Sequence, residues 1–202
     1  MGIQNLTFNL IAKIAISLIT GYIFGSIPNA VIIAKFKKVN IRETGSGNPG
    51  AGNVAREIGK FWGILVFILD ALKAVIPMLI ADKILHLSLF WTGITGLSAV
   101  VGHCYSLFLG FKGGKGAASS GGVLIYLFPK FSIVAIAAFF LLQKVPRNTK
   151  TFIPIFLTAL GLWIWIYWNS MPFFIPFVLI FLTLGVLLNI DLIKELISGQ
   201  NL

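Results

Sequence analysis

Two short segments of this 202-residue chain gather residues able to hold an anion. The first reads Arg42-Glu43-Thr44-Gly45-Ser46-Gly47-Asn48-Pro49-Gly50-Ala51-Gly52-Asn53, with Arg56 just beyond it. Four glycines in nine residues let the backbone adopt positive φ and turn several N–H groups on one phosphate. Asn53 is placed to cap the helix that follows, and a helix N-terminus itself favours phosphate. Arg42 and Arg56 add fixed charge with bidentate geometry. The segment lacks the Lys of G-x-x-x-x-G-K-S/T, so its pattern alone leaves phosphate binding and a flexible membrane loop equally open. The second segment, Gly110-Phe111-Lys112-Gly113-Gly114-Lys115-Gly116, shifts that balance. Lys115 in a nest of glycines offers a compact point charge, whereas alone it reads as a lysine flanking a span. Together the loops can neutralise two phosphate-bearing ligands.

Three further sites lie within apolar sequence. Asp70 and Lys73 share a helix face, roughly 15 to 20 Å along from Lys60 at 1.5 Å per residue. Ionised groups near mid-membrane are costly and face the bundle interior, either as a structural ion pair or in contact with substrate. His103 precedes the second glycine loop, where it serves as general base, as hydrogen-bond donor or as a structural residue; His86 reads as structural. Ser26-Ile27-Pro28 interrupts the first apolar run, where Pro28 frees carbonyls that Ser26 helps satisfy. Cys104 is the single cysteine, so neither a disulfide nor a Cys-based zinc site is expected, and no metal or cofactor is implied.

The elements that must position these residues are transmembrane helices. Hydrophobic residues make up 57% of the chain and charged residues only 11%, too few to wet the surface of a water-soluble domain. Apolar stretches at 10–34, 61–81, 84–109, 151–168 and 173–188 are long enough to cross or nearly cross a bilayer. Two shorter ones, 117–128 and 131–142, flank Pro129-Lys130. The basic loops on either side of them, with Lys112 and Lys115 and with Lys144, Arg147 and Lys150, both read as cytoplasmic, which requires a helical hairpin between them. The reading is an all-α, polytopic bundle of seven spans forming one domain over 1–202. Its N-terminus is outside and its C-terminus cytoplasmic. The net charge of +10 is then mostly an orientation signal, with Lys13, Lys83 and Lys130 left on the outer side. No basic stripe with interleaved aromatics suggests nucleic acid. The N-terminal run, with Lys13 and no A-x-A-like site, reads as a retained span.

These residues together resemble the acyl-phosphate-dependent glycerol-3-phosphate acyltransferases of bacterial membranes, the PlsY family. Gly25-Ser26-Ile27-Pro28 is similar to the family's first-span motif, and Arg42 with Gly45-Ser46-Gly47-Asn48, Gly50-Ala51, Asn53 and Arg56 to its G-S-G-N-x-G-A-T-N-x-x-R loop. Asp70-Ala71-Leu72-Lys73 resembles D-x-x-K-G; Val101-Gly102-His103 and Phe111-Lys112-Gly113-Gly114-Lys115-Gly116 resemble V-G-H and F-K-G-G-K-G. Gly52, Ala74 and Ser106 replace the family's Thr, Gly and Pro. The terminal element H-R-x-N-I-x-R-L-x-x-G-x-E is altered: Asn189, Leu192, Glu195 and Asn201 stand at its His, Asn, second Arg and Glu, so no role is carried over to them.

The resemblance implies transfer of a fatty acyl group from acyl-phosphate to the sn-1 hydroxyl of glycerol-3-phosphate, giving lysophosphatidate and phosphate. It implies a bacterial inner-membrane enzyme whose site faces the cytoplasm and whose bilayer-embedded bundle takes the acyl tail. Catalytic roles fall to Ser46, Arg56, Lys115 and His103. Substrate binding falls to Ser26, Arg42, Gly45, Gly47, Asn48, Gly50, Asn53, Lys73, Lys112, Gly113, Gly114 and Gly116. Two other readings stand beside it: a degenerate homologue that binds the same precursors with little turnover, and a small phosphate or phospho-compound transporter gated by the glycine loops. The one-sided motifs and the missing internal repeat count against the transporter.

Overall fold

The computed structural model describes residues 2–130 together with 132, 133, 177, 179, 180, 183, 184 and 187. All regular structure among them is helical. Helix α1 (Gly2–Ser26) stops short of Pro28, which has no N–H to donate and bars Ile27 from helical geometry; α2 (Asn29–Phe36) resumes at once. The loop that follows leads to the short α3 (Ala51–Glu57) and then to α4 (Lys60–Leu79). Pro77 lies inside α4, two residues before that helix ends, and its course continues directly as a π-helical turn, Ile80–Ile84. Helix α5 (Leu89–Cys104), a 3₁₀ turn (Leu107–Leu109) and α6 (Ala117–Leu127) complete the described order.

Among the described residues, three runs are long and apolar enough to cross a membrane: Thr7–Phe36, Lys60–Ile84 and Leu89–Leu109. They correspond to the first three expected spans, except that Ile84 closes the second run and the third starts at Leu89. Helix α6, at 11 residues, coincides with the expected short apolar stretch at 117–128, and it ends before Pro129. The expected spans at 131–142, 151–168 and 173–188 fall outside the described residues apart from isolated positions, and the seven-span count with them.

Small residues bring α1 and α5 together. A methyl group on Gly25 would run into the Ala99 backbone, and one on Gly102 into the Tyr22 carbonyl. Such close approach is how helices associate in lipid, where packing and interhelical hydrogen bonds replace the hydrophobic drive. Ser98 Oγ donates to the Leu18 carbonyl at 2.7 Å, the Thr95 and Ser17 hydroxyls pair at 3.0 Å, and Tyr22 donates to the Tyr105 carbonyl at 2.8 Å. Helix α4 is packed on α5 and α6 through Ala74, Met78, Leu97, Val100, Val123 and Leu127. A second core, with Ala30 and Ile33 of α2, Ile41, Val54 of α3 and Val66 of α4, carries the first glycine loop. The outward faces remain apolar: Phe8, Ile11 and Ile19 on α1 and Phe61, Ile64 and Phe67 on α4 are exposed, as lipid contact requires.

Helices α4 and α6 run the same way. The Asp70 carbonyl accepts from Ser119 Oγ at 2.9 Å, and further along α6 Tyr126 donates to Asp82, in the π-helical turn that continues α4, at 2.7 Å. The loops leading into the α3–α4 unit and into α6 therefore stand at one end of the bundle.

Candidate active site

The first glycine loop is built around one amide. Asn53 Nδ2 donates to the carbonyls of Ile41 (3.1 Å) and Thr44 (2.9 Å), while its Oδ1 accepts the Ser46 N–H at 3.1 Å. This differs from the capping role expected for Asn53: α3 starts at Ala51 with Gly50 before it, so Asn53 already lies in the first turn and its side chain folds back on the loop. Gly45 and Gly47 sit at φ +61 and +66, which lets the chain double back over that amide. Gly47 and Gly50 N–H groups bond to Thr44 and Asn48 carbonyls. The N–H groups of Asn48, Ala51 and Gly52 have no internal partner among the described residues. Arg42, Ser46 and Arg56 are exposed, and Arg56 Nη2 lies 3.4 Å from Ser46 Oγ, putting hydroxyl and guanidinium side by side.

The second loop is held by backbone. Gly113 and Gly114 donate to the carbonyls of Cys104 (2.9 Å) and His103 (3.1 Å), closing the loop onto the end of α5. No Cβ fits at either position, since Gly113 abuts the His103 carbonyl and Gly114 the His103 ring. Lys112 and Lys115 stay exposed, and the first-turn N–H groups of α6, directly after Gly116, are open.

Between the loops lies the break between α1 and α2. The carbonyls left free at the break are satisfied from elsewhere in the bundle: Lys73 Nζ of α4 donates to the Ile27 carbonyl at 2.9 Å, and Ser106 Oγ, just after α5, donates to the Ser26 carbonyl at 2.6 Å. The Ser26 hydroxyl does not take that part; it donates back to the Tyr22 carbonyl and accepts the Leu107 N–H. Asp70 Oδ1 accepts from Lys73 Nζ and from Asn29 Nδ2, both at 3.0 Å, with Asp70 and Lys73 only 2% and 5% exposed. His103 is buried as well, its Nδ1 3.8 Å from the same oxygen and without a hydrogen-bond partner.

A cleft opens where these parts meet. Its wall is formed by Ser26, Ile27, Pro28 and Asn29 of the break, Pro49 of the first loop, and Asp70, Lys73 and His103. Ser106, Leu109, Gly113 and Gly114 complete it. Polar side chains of two long helices and residues of both glycine loops thus border one opening.

The family model for glycerol-3-phosphate acyltransferase matches residues 15–199. The chain belongs to the glycerol-3-phosphate acyltransferase family. It is 37% identical over 191 residues to the glycerol-3-phosphate acyltransferase of Thermosipho melanesiensis, covering 91% of this chain and 89% of that protein. It is 48% identical over 122 residues to that of Geotalea daltonii, where the match covers 60% of this chain and 62% of the relative's length. Among solved structures it resembles PlsY, an integral membrane glycerol 3-phosphate acyltransferase, in its glycerol 3-phosphate form. The TM-score is 0.76 at 32% identity, covering 94% of each chain. The lysophosphatidic acid form of PlsY matches with a TM-score of 0.75.

Of the site residues that the family resemblance implies, Ser26, Lys73, His103, Gly113 and Gly114 line the cleft. Arg42, Gly45, Ser46, Gly47, Asn48 and Gly50 belong to the loop whose Pro49 reaches it, Asn53 and Arg56 to the α3 helix that follows, and Lys112, Lys115 and Gly116 flank the glycines of the other loop. Asn189, Leu192, Glu195 and Asn201, where the family's terminal element is altered, lie outside the described residues. Two residues that matter to the site were not singled out from the sequence. Asn29 carries a signal, being an amide set directly after Pro28 in an otherwise apolar run. Ser106 registers only as a departure from the family's Pro, and nothing in the sequence points it at the Ser26 carbonyl.

Proposed function

We propose that this protein transfers a fatty acyl group from an acyl-phosphate to the sn-1 hydroxyl of glycerol-3-phosphate, giving lysophosphatidate and inorganic phosphate. The observation that carries the reading is the cleft itself: Pro49 of one cationic glycine loop and Gly113 and Gly114 of the other border the same opening. Both substrates bear phosphate, and two sets of cations with open N–H groups suit two head groups. PlsY, the structural relative, occurs in glycerol 3-phosphate and lysophosphatidic acid forms, which fits the acceptor and product assigned here.

In this reading the acceptor hydroxyl oxygen attacks the acyl carbonyl carbon. The new ester C–O bond forms as the anhydride C–O bond to phosphate breaks, and phosphate leaves with the electron pair. A mixed anhydride has a good leaving group, so positioning and charge neutralisation supply much of the acceleration. Ser46, Arg42, Arg56 and the open amides of the first loop hold one anionic head; Lys115, Lys112 and the first turn of α6 hold the other. The hydroxyl proton passes to a phosphate oxygen or to His103. The acyl tail runs beside the apolar helices, in a seven-span bundle with the N-terminus outside and the loops cytoplasmic, in the bacterial inner membrane.

The test is a product assay on protein purified in detergent. Phosphate release from acyl-phosphate should require glycerol-3-phosphate and match acyl-glycerol-3-phosphate formed. No product at any enzyme level rejects the reading and leaves a binder without turnover. Uptake of phosphate into proteoliposomes without acyl transfer replaces it with a transporter.

A further inference from the structure

Asp70 and Lys73 lie deep in the described bundle, and a buried ion pair is weak evidence of stability, because well-packed apolar residues often serve as well or better. Their contacts go well beyond each other. Lys73 Nζ reaches the Ile27 carbonyl on one side of Pro28, and Asn29 on the other side reaches Asp70 Oδ1, so the pair grips the helix break from both ends. The same Oδ1 faces His103 Nδ1, and the His103 carbonyl and ring are what seat Gly114. The Asp70 backbone carbonyl receives Ser119 Oγ from α6. The carboxylate and the ammonium are thus bonded to the α1–α2 break and stand directly against His103, while the Asp70 main chain ties the same helix to α6. Two of the three ammonium donors are committed to Asp70 and Ile27, which makes Lys73 a strut between helices and leaves it ill suited to follow a substrate.

We propose that Asp70 and Lys73 are positioning residues for acyl transfer, which set the width of the cleft by fixing the α1–α2 break against the His103 seat of the second glycine loop. The inference rests on the proposed function. A pair in this role acts on turnover more than on affinity, since a displacement of about 1 Å between reacting groups costs about 100-fold in rate. A pair that served only the fold would be replaceable by neutral residues of similar size without loss of turnover.

The experiment compares wild type, Asp70→Asn and the double variant Asp70→Asn/Lys73→Met in detergent, reading the thermal unfolding midpoint and steady-state kcat and KM for both substrates. Asp70→Asn leaves a buried ammonium without its carboxylate and lowers both midpoint and turnover. In the double variant the midpoint should return to near wild type, while kcat stays down by about 10- to 100-fold and both KM values remain close to wild type. A double variant that folds and turns over like wild type overturns the inference. So does one whose KM rises while kcat holds, which would make Lys73 a substrate contact, and so does one that no longer folds, which would make the pair a requirement of the fold. If wild type itself forms no acyl-glycerol-3-phosphate, the proposed function falls and this inference falls with it. An active wild type beside an equally active double variant sinks this inference alone.

Discussion

Asn53 holds the first glycine loop through its own amide, bonding to Ile41, Thr44 and Ser46, whereas the second loop is pinned by main-chain bonds from Gly113 and Gly114 to the last residues of α5. The glycines accordingly answer to different demands. Gly45 and Gly47 supply a left-handed turn, while Gly113 and Gly114 have ordinary backbone angles and no room for a side chain. The first loop is therefore a self-contained unit, with its cations on an exposed rim. The second is an extension of α5, so whatever displaces His103 displaces it too. A glycine-rich segment next to cations thus has two routes to rigidity, one through a side chain and one through a neighbouring helix.

The sharpest way to break that comparison is Gly113→Ala. Its methyl group would meet the His103 carbonyl and the Cys104 backbone, neither of which can swing aside, so turnover in the product assay should fall by about 100-fold or more. Near-normal turnover would show that the second loop is not clamped as described. Ser46→Ala removes the hydroxyl beside Arg56, and Lys115→Ala removes the charge beside the second loop; each should cut turnover at least about tenfold. If both variants keep the wild-type rate, neither loop holds a reacting group. Asn53→Ala strips the first loop of three hydrogen bonds at a fully buried position and should cost about 1–3 kcal/mol, read as a lowered unfolding midpoint. An unchanged midpoint would mean that the loop does not depend on that amide. Gly110→Ala is the mildest test. Gly110 has φ +61 but nothing within 4 Å of a Cβ, so the change should cost only about 1 kcal/mol of backbone strain and leave kcat unaltered.

Much of this arrangement could be read before any fold was known, because lipid is a demanding solvent. A run of apolar residues must become a helix, Pro28 must interrupt it, and Asp70 three residues from Lys73 must share a face. The two glycine clusters with their cations announced themselves as loops for the same reason. Less legible were the α1–α5 seam, where Gly25 and Gly102 each stand against the other helix's backbone, and the part played by Asn53, which looks like a helix cap in sequence and acts as a loop brace.

By itself, then, the sequence determined which segments leave water, which residues are too polar to face lipid and which turns need glycine, since each of these depends on neighbours a few positions away. Tertiary structure alone decided that Lys73 serves the Ile27 carbonyl, that Ser106 serves the Ser26 carbonyl 80 residues away, and that His103 supports the second glycine loop. These pairings depend on how α1, α4 and α5 rotate and cross. Close packing of small residues and the need to satisfy every carbonyl freed in an apolar bundle set that rotation, and neither is written at any one position of the chain.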